Sequence, residues 1–386
     1  MTDLVLDTFQ QKKAESITNK AMKFSAFVAV FAAIVGIFLT PIPRKVGFYR
    51  ALSKHIPELT GLFPAFADEY GFTREQLASL TNLQGQHALV TGGNSGVGYE
   101  TAKELARLGV SVTIGCRNAK KCENAAERIR ANKDVKSGSI STLLIDTSSL
   151  ASVKQAAANF AESNSVLDML FLNAGISSAG SLPDGSAPLS EDNIELVFAT
   201  NFVGHHLLYK MLEPLLLKSE MARVVVTSSA ASFHTFSYKV ATDRETLNNV
   251  RIGMGTEVYG QSKLAQIFWA QELTQRLKAN NHSNVYVNAV HPGAVHTEIW
   301  NKNPLIPNFL QETIILYLRQ NVMWTAAEAA LTMLYLGTAT EELRVNNIRG
   351  QYYHPQSVRL ENPLANDPVL QTKIWDFSDE LVKDFA

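Results

Sequence analysis

HALVTGGNSGVG, residues 87–98, runs from a short apolar stretch into spaced glycines, and that junction decides the fold. Gly92 permits a tight turn out of a strand, and Gly96 and Gly98 let backbone amides approach a pyrophosphate at the positive end of the following helix. Asn94, Ser95 and Val97 fill the intervening positions of this predicted phosphate cradle. Downstream, apolar runs recur as VSVTIG (110–115), STLLID (141–146), VLDMLFLNAG (166–175), ARVVVTS (222–228), NVYVNAVHPG (284–293) and the short GQYYH (350–354). Longer amphipathic stretches separate them, ending near Leu108, Ala131 and Phe160 and covering about Ser190 to Lys218 and Glu257 to Lys278. Apolar strands interleaved with helices argue for a parallel sheet covered on both faces. The expected fold class is α/β, a Rossmann-like doubly wound parallel sheet of about seven strands.

Composition removes several functional classes. The chain has 35 basic and 36 acidic residues, so no basic field gathers nucleic acid phosphates, and no nucleic acid partner is expected. Its two cysteines, Cys116 and Cys122, supply neither a disulfide framework nor Cys/His metal spacing. His205 and His206 are neighbours on a helical pattern, where side chains point about 100° apart and cannot share an ion. No metal site is expected.

FSAFVAVFAAIVGIFL, residues 24–39, is apolar or small throughout and is closed by Pro41 and Pro43. At a rise of about 1.5 Å per residue, such a stretch reaches the short end of what spans a bilayer's hydrocarbon. We expect a tail over residues 1–23, a transmembrane anchor over 24–40, and a linker with membrane-proximal helices over 41–84. A catalytic domain fills 85–386. The implied location is an intracellular membrane such as the endoplasmic reticulum, with one pass through the bilayer. Lysines and arginines flank both ends of the segment, so orientation is not set by charge. The short linker segments cap the catalytic domain or lie on the membrane.

YGQSK, residues 259–263, places a phenol and an ammonium one helical turn apart on one face. Reduction of a carbonyl needs a proton for the developing alkoxide and donors that stabilise its charge. Tyr259 can give the proton if a fixed cation lowers its pKa, and Lys263 can be that cation. The same spacing at Tyr99 and Lys103 has no serine strand before it and reads as a helix surface pair. Only Tyr259 follows a Ser pair, Ser228-Ser229, and a phosphate cradle.

The glycine loop departs from G-x-G-x-x-G and resembles the TGxxxGxG signature of short-chain dehydrogenases/reductases. The resemblance continues in order through Asp146, LNAG (172–175), Asn201, Ser229, YGQSK and HPGAVHT (291–297), about 300 residues in all. Within that superfamily the chain is most similar to membrane-anchored retinol dehydrogenase-type members. That narrower likeness rests on GCRN (115–118), the gap between the serines and Tyr259, and GQYYH followed by IWDFSDELV (374–382).

The resemblance implies catalytic roles for Asn201, Ser229, Tyr259 and Lys263. Ser229 would bind the substrate oxygen, with Ser228 as the alternative. Lys263 would also hold the nicotinamide ribose, and Asn201 would support a water relay to it. Asp146 would lie near the adenine, unless it only caps the next helix. Asn173, Ala174 and Gly175 would line the cofactor, and Pro292, Gly293 and Thr297 would close over the nicotinamide and its phosphates.

Relatives that prefer NAD carry an acid at the end of the second strand. Here that place falls to Cys116 and then Arg117, whose guanidinium suits a 2′-phosphate, so NADP(H) is the expected cofactor. The apolar segment at about 300–325, including PLIPNFLQETIILYLRQNVMW (304–324), stands where the family covers its substrate. The expected partners are therefore a lipophilic carbonyl or alcohol (a retinoid, a steroid or a long-chain aldehyde or ketone) and the bilayer. The alternative for the apolar segment is a domain contact or a homodimer contact. A non-catalytic, membrane-bound NADP(H) sensor or scaffold is the alternative function.

Overall fold

A computed structural model describes residues 62, 71–80, 83–135, 139–233, 240–249, 257–295 and 323–386. The chain divides between Tyr49 and Arg50, and every described residue belongs to the second unit. The expected anchor at 24–40 and residues 300–322 of the apolar segment lie outside the described residues. Among those described, no helix is long and apolar enough to cross a membrane.

Among the described residues, eight strands form one sheet: β1 His87–Thr91, β2 Ser111–Cys116, β3 Ile140–Leu144, β4 Met169–Leu172, β5 Ala222–Thr227, β6 Val285–Val290, β7 Tyr352–His354 and β8 Val358–Arg359. Their spatial order is β3-β2-β1-β4-β5-β6-β7-β8. β1 pairs in parallel with both β2 (Ala88↔Val112) and β4 (Ala88↔Met169), so the winding direction reverses between β1 and β4. A reversal of this kind opens a crevice at the carboxyl ends of the strands, where open α/β sheets bind ligands.

The expected count of about seven strands is short by one. β8 is a two-residue strand that turns back antiparallel on β7, pairing Tyr353↔Arg359. Gln356 and Ser357 make that turn at φ 62° and 60°, without the glycine or Asn-Gly pair that marks a hairpin in a sequence.

Helices cover both faces. We label them α1 Gly96–Arg107, α2 Ala119–Arg130, α3 Leu150–Ser163, α4 Gly204–Leu216, α5 Glu257–Ala279, α6 Ala326–Thr338 and α7 Pro368–Val382. Successive strand residues point to opposite faces. Leu89, Leu170 and Val224 pack with α3, α4, α5 and α7, whereas Val90, Phe171 and Val225 pack with α1, α2 and α6. A short helix at Arg74–Ala78, opened by a Thr73/Gln76 capping box, also buries Leu77 in the second core. Residues 74–78 of the expected 41–84 linker thus pack against the second core.

The long helical pattern from Ser190 to Lys218 does not form one helix. Glu195 caps the amides of Val197 and Phe198 at 3.0 and 2.7 Å, a π-helical segment follows at Ala199–Val203, and α4 starts only at Gly204. A Cβ on Gly204 would stand 2.0 Å from the Thr147 carbonyl oxygen, so only glycine allows the chain to pass there. The π segment buries Asn201 completely beneath the β1–β4 crevice.

Candidate active site

The glycine loop closes over the end of β1. Gly92 and Gly96 take φ +67° and +57°, the left-handed region open to glycine. A Cβ on Gly98 would lie 2.5 Å from Asn173 Nδ2 and 2.6 Å from the Gly92 carbonyl oxygen, so loop and β4 end are in van der Waals contact. Val97 is buried beneath the loop, Asn94 is half-buried, and Ser95 is exposed as the N-cap of α1. The Ser95 side chain makes no capping bond, which leaves the first amides of α1 facing outward with the helix's positive end.

After β4, the Asn173 and Ala174 amides donate to Thr91 Oγ1 at 2.9 and 3.0 Å, and Asn173 Nδ2 donates to the Thr91 carbonyl at 2.9 Å. Gly175 comes next, exposed to the crevice. A Cβ there would be 3.0 Å from Asn201 Oδ1 and 3.6 Å from Lys263 Nζ. Uncapped helix amides, a glycine-only approach and an ammonium beyond it fit a nicotinamide dinucleotide running from the glycine loop toward Lys263.

Tyr259 and Lys263 sit on α5 with Lys263 Nζ 5.4 Å from the Tyr259 ring centroid. Lys263 is buried, donates to the Thr227 carbonyl at 2.7 Å, and is pushed down to about 7 by burial. Burial raises the Tyr259 phenol above its ordinary value, and its hydrogen bond with the Ser229 side chain offsets part of that rise.

The two serines separate clearly. The Ser228 hydroxyl is buried and donates to the Lys263 carbonyl at 2.7 Å, whereas Ser229 is half-buried beside the Tyr259 phenol. Asn201 is held by its neighbours: Oδ1 accepts from the Ile176 amide at 2.8 Å, and Nδ2 donates to the Ile176 carbonyl and to Ser262 Oγ, both at 3.0 Å. Gln266 Nε2 lies 2.7 Å from the Asn201 carbonyl oxygen and His205 Nδ1 lies 3.0 Å from it. Sequence reasoning assigned no role to His205 or Gln266. Their signal was polarity on helix faces that are otherwise apolar.

Other predicted residues take different surroundings. Arg117 is exposed directly after β2, and Asn118 caps α2 by accepting from the Lys121 amide at 2.9 Å. Cys116 and Cys122 form a disulfide across this corner, contrary to the expectation of none; their Cα atoms are 5.8 Å apart because β2 leads straight into the first turn of α2. Asp146 Oδ1 accepts from the Ser148 amide at 2.9 Å and the Ser148 hydroxyl at 2.6 Å, shaping the loop before Ser149, which is the actual cap of α3. Pro292 is half-buried at the end of β6, and Gly293 has φ +86° beneath the Trp324 ring. Thr297 lies outside the described residues. The Tyr99–Lys103 twin is half-buried on α1 with other partners: Lys103 bonds Glu100, and the Arg128 guanidinium lies 4.5 Å from the Tyr99 ring centroid.

The short chain dehydrogenase family model matches residues 86–241. Retinol dehydrogenase 14 of Mus musculus is 32% identical over 313 residues, covering 78% of this chain and 86% of that protein. The chain belongs to the short-chain dehydrogenase family. Short-chain dehydrogenase TIC 32 A, chloroplastic, of Brassica napus is 30% identical over 335 residues, 84% of this chain and 99% of that one. Among solved structures, a short chain dehydrogenase from Burkholderia cenocepacia J2315 in complex with NADP has 26% identity and a TM-score of 0.50, covering 70% of this chain and 96% of that chain. As a short-chain dehydrogenase with retinol dehydrogenase relatives, the protein is an oxidoreductase acting on CH–OH or C=O groups. Its crevice is built for the nicotinamide cofactor that this chemistry uses.

Proposed function

We propose that this chain is an NADP(H)-dependent enzyme that interconverts a carbonyl and an alcohol on a lipophilic substrate: a retinoid, a steroid or a long-chain aldehyde or ketone. The observation that carries the reading is the convergence of Ser229, Tyr259 and Lys263 beside Gly175. When bound, the nicotinamide supplies or accepts the hydride. The glycine loop from Gly92 to Gly98, with Asn173, Ala174, Gly175, Pro292 and Gly293, would hold it.

The Ser229 hydroxyl donates to the substrate oxygen and fixes its distance from Tyr259. Tyr259 transfers its phenolic proton to that oxygen as negative charge develops there. Burial raises this phenol, so it is protonated at neutral pH, the state from which it acts as an acid. Lys263, when charged, stabilises the phenolate left behind. In oxidation the same phenol accepts the alcohol proton.

Arg117 is proposed to select NADP(H), because its permanent charge stands free at the end of β2, where an acid would select NAD. The solved relative in complex with NADP supports this choice. Replacing Arg117 by Glu is expected to reduce the preference for NADPH over NADH by about tenfold or more, read as the ratio of the two kcat/KM values. An unchanged ratio contradicts the assignment.

Residues 24–40 are proposed to anchor the enzyme at an intracellular membrane, which would give access to a substrate dissolved in the bilayer. The retinol dehydrogenase relative supports the lipophilic reading. The test is a panel of retinoid, steroid, long-chain and small hydrophilic carbonyls, each assayed with NADPH. Turnover confined to small hydrophilic carbonyls contradicts the lipophilic reading, and tight NADPH binding without any turnover points to a sensor or scaffold instead.

A further inference from the structure

His205 is fully buried in the first turn of α4 and belongs to none of the roles above. Its Nε2 lies 3.0 Å from Thr91 Oγ1, and its Nδ1 lies 3.0 Å from the Asn201 carbonyl oxygen. Burial, followed by the Lys263 charge, pushes it down to about 3, so the ring is neutral and carries one N–H.

The proton's place follows from the partners. A carbonyl oxygen cannot donate, so the Asn201 contact requires the hydrogen on Nδ1. Nε2 is then an acceptor, and the Thr91 hydroxyl must donate to it. Thr91 has a single hydroxyl hydrogen, which leaves its longer 3.2 Å approach to the Phe171 carbonyl without a proton. The Thr91 oxygen is thereby free to receive two donors, and it receives them from the Asn173 and Ala174 amides.

We propose that His205 is a positioning residue that orients the Thr91 hydroxyl and so ties the cofactor-lining Asn173–Ala174 turn to Asn201 in the π segment. The chain of bonds runs in one direction, from the two amides through Thr91 to His205 and on to the Asn201 carbonyl, where Gln266 supplies the second donor. With His205 and Gln266 both bonded to that carbonyl, Asn201 also anchors β4 to α5. The Ile176 and Ser262 bonds to its side chain have the same effect.

This inference rests on the proposal that the crevice binds NADP(H), and the experiment separates the two. NADPH binding is measured by nicotinamide fluorescence in the full chain and in the variants Thr91→Val, Thr91→Ser, His205→Asn and the double variant Thr91→Val/His205→Asn. His205→Asn keeps an N–H for the Asn201 carbonyl and loses the arm to Thr91, which limits the risk of unfolding.

Thr91→Val and His205→Asn are each expected to weaken NADPH binding by about tenfold, as expected when a buried bond loses one partner. The double variant is expected to be no weaker than the worse single, since both break the same link. Thr91→Ser, which keeps the hydroxyl, should bind as the wild type does. The KM for the carbonyl substrate should stay within about twofold in all four, which a general loosening of the fold would not allow. Unchanged NADPH affinity in both single variants, or losses that multiply in the double, overturns the role of His205. Failure of the wild type to bind NADPH overturns the cofactor reading instead.

Discussion

Burial takes the Lys263 ammonium out of water and pushes it down to about 7, far below an ordinary lysine. Below that value the group is charged and can stabilise the Tyr259 phenolate; above it the charge is lost. Carbonyl reduction by the free enzyme is therefore expected to decline as pH rises through about 7, visible in a kcat/KM profile. The paired serines differ in the same concrete way. Ser229→Ala removes a donor from the substrate oxygen and is expected to lower kcat by about a hundredfold. Ser228→Ala removes the buried hydroxyl's bond to the Lys263 carbonyl, which keeps its helix partner, and is expected to cost about 0.5–1.5 kcal/mol of stability, read in a denaturant titration, with a smaller effect on kcat. Residue types and their order were legible in the sequence at YGQSK and at the Ser pair. The choice of Ser229 over Ser228 came from the family resemblance, because spacing alone does not fix the side to which the chain turns as it leaves β5.

At the scale of elements, spacing read the glycine loop and the alternation of strands and helices well, because periodicity reports burial on one face or two. It missed the break at Ala199–Val203, since no proline or glycine marks it within those five residues, all of which are buried. One local and one tertiary feature set the break: Glu195 caps the chain early, and Gly204 must pass against the Thr147 carbonyl. Gly204→Ala is accordingly expected to lower stability by about 1–3 kcal/mol, read as a shift of the denaturant midpoint, through overlap with a backbone atom that cannot yield. The Cys116–Cys122 bond was equally hidden, because the approach of two thiols six residues apart depends on how β2 turns into α2, which spacing does not fix.

For the whole molecule, the reversal between β1 and β4 makes one crevice and sets the glycine loop, the Asn173–Gly175 turn and the Tyr259–Lys263 face around it. Proposed anchoring and proposed chemistry occupy different parts of the chain. Removal of residues 1–49 is expected to release the protein from the membrane fraction while leaving its NADPH affinity within about twofold, since every cofactor contact proposed above lies beyond residue 90. A truncated chain that stays with membranes would place the anchor elsewhere. The central claim, that Tyr259 is the proton donor of a carbonyl reductase, is tested most directly by comparing wild type and Tyr259→Phe in NADPH-driven reduction of a lipophilic aldehyde, with NADPH binding measured alongside. The account predicts intact NADPH binding and a loss of kcat of about a thousandfold or more. Retention of most of the wild-type rate with intact binding would contradict it.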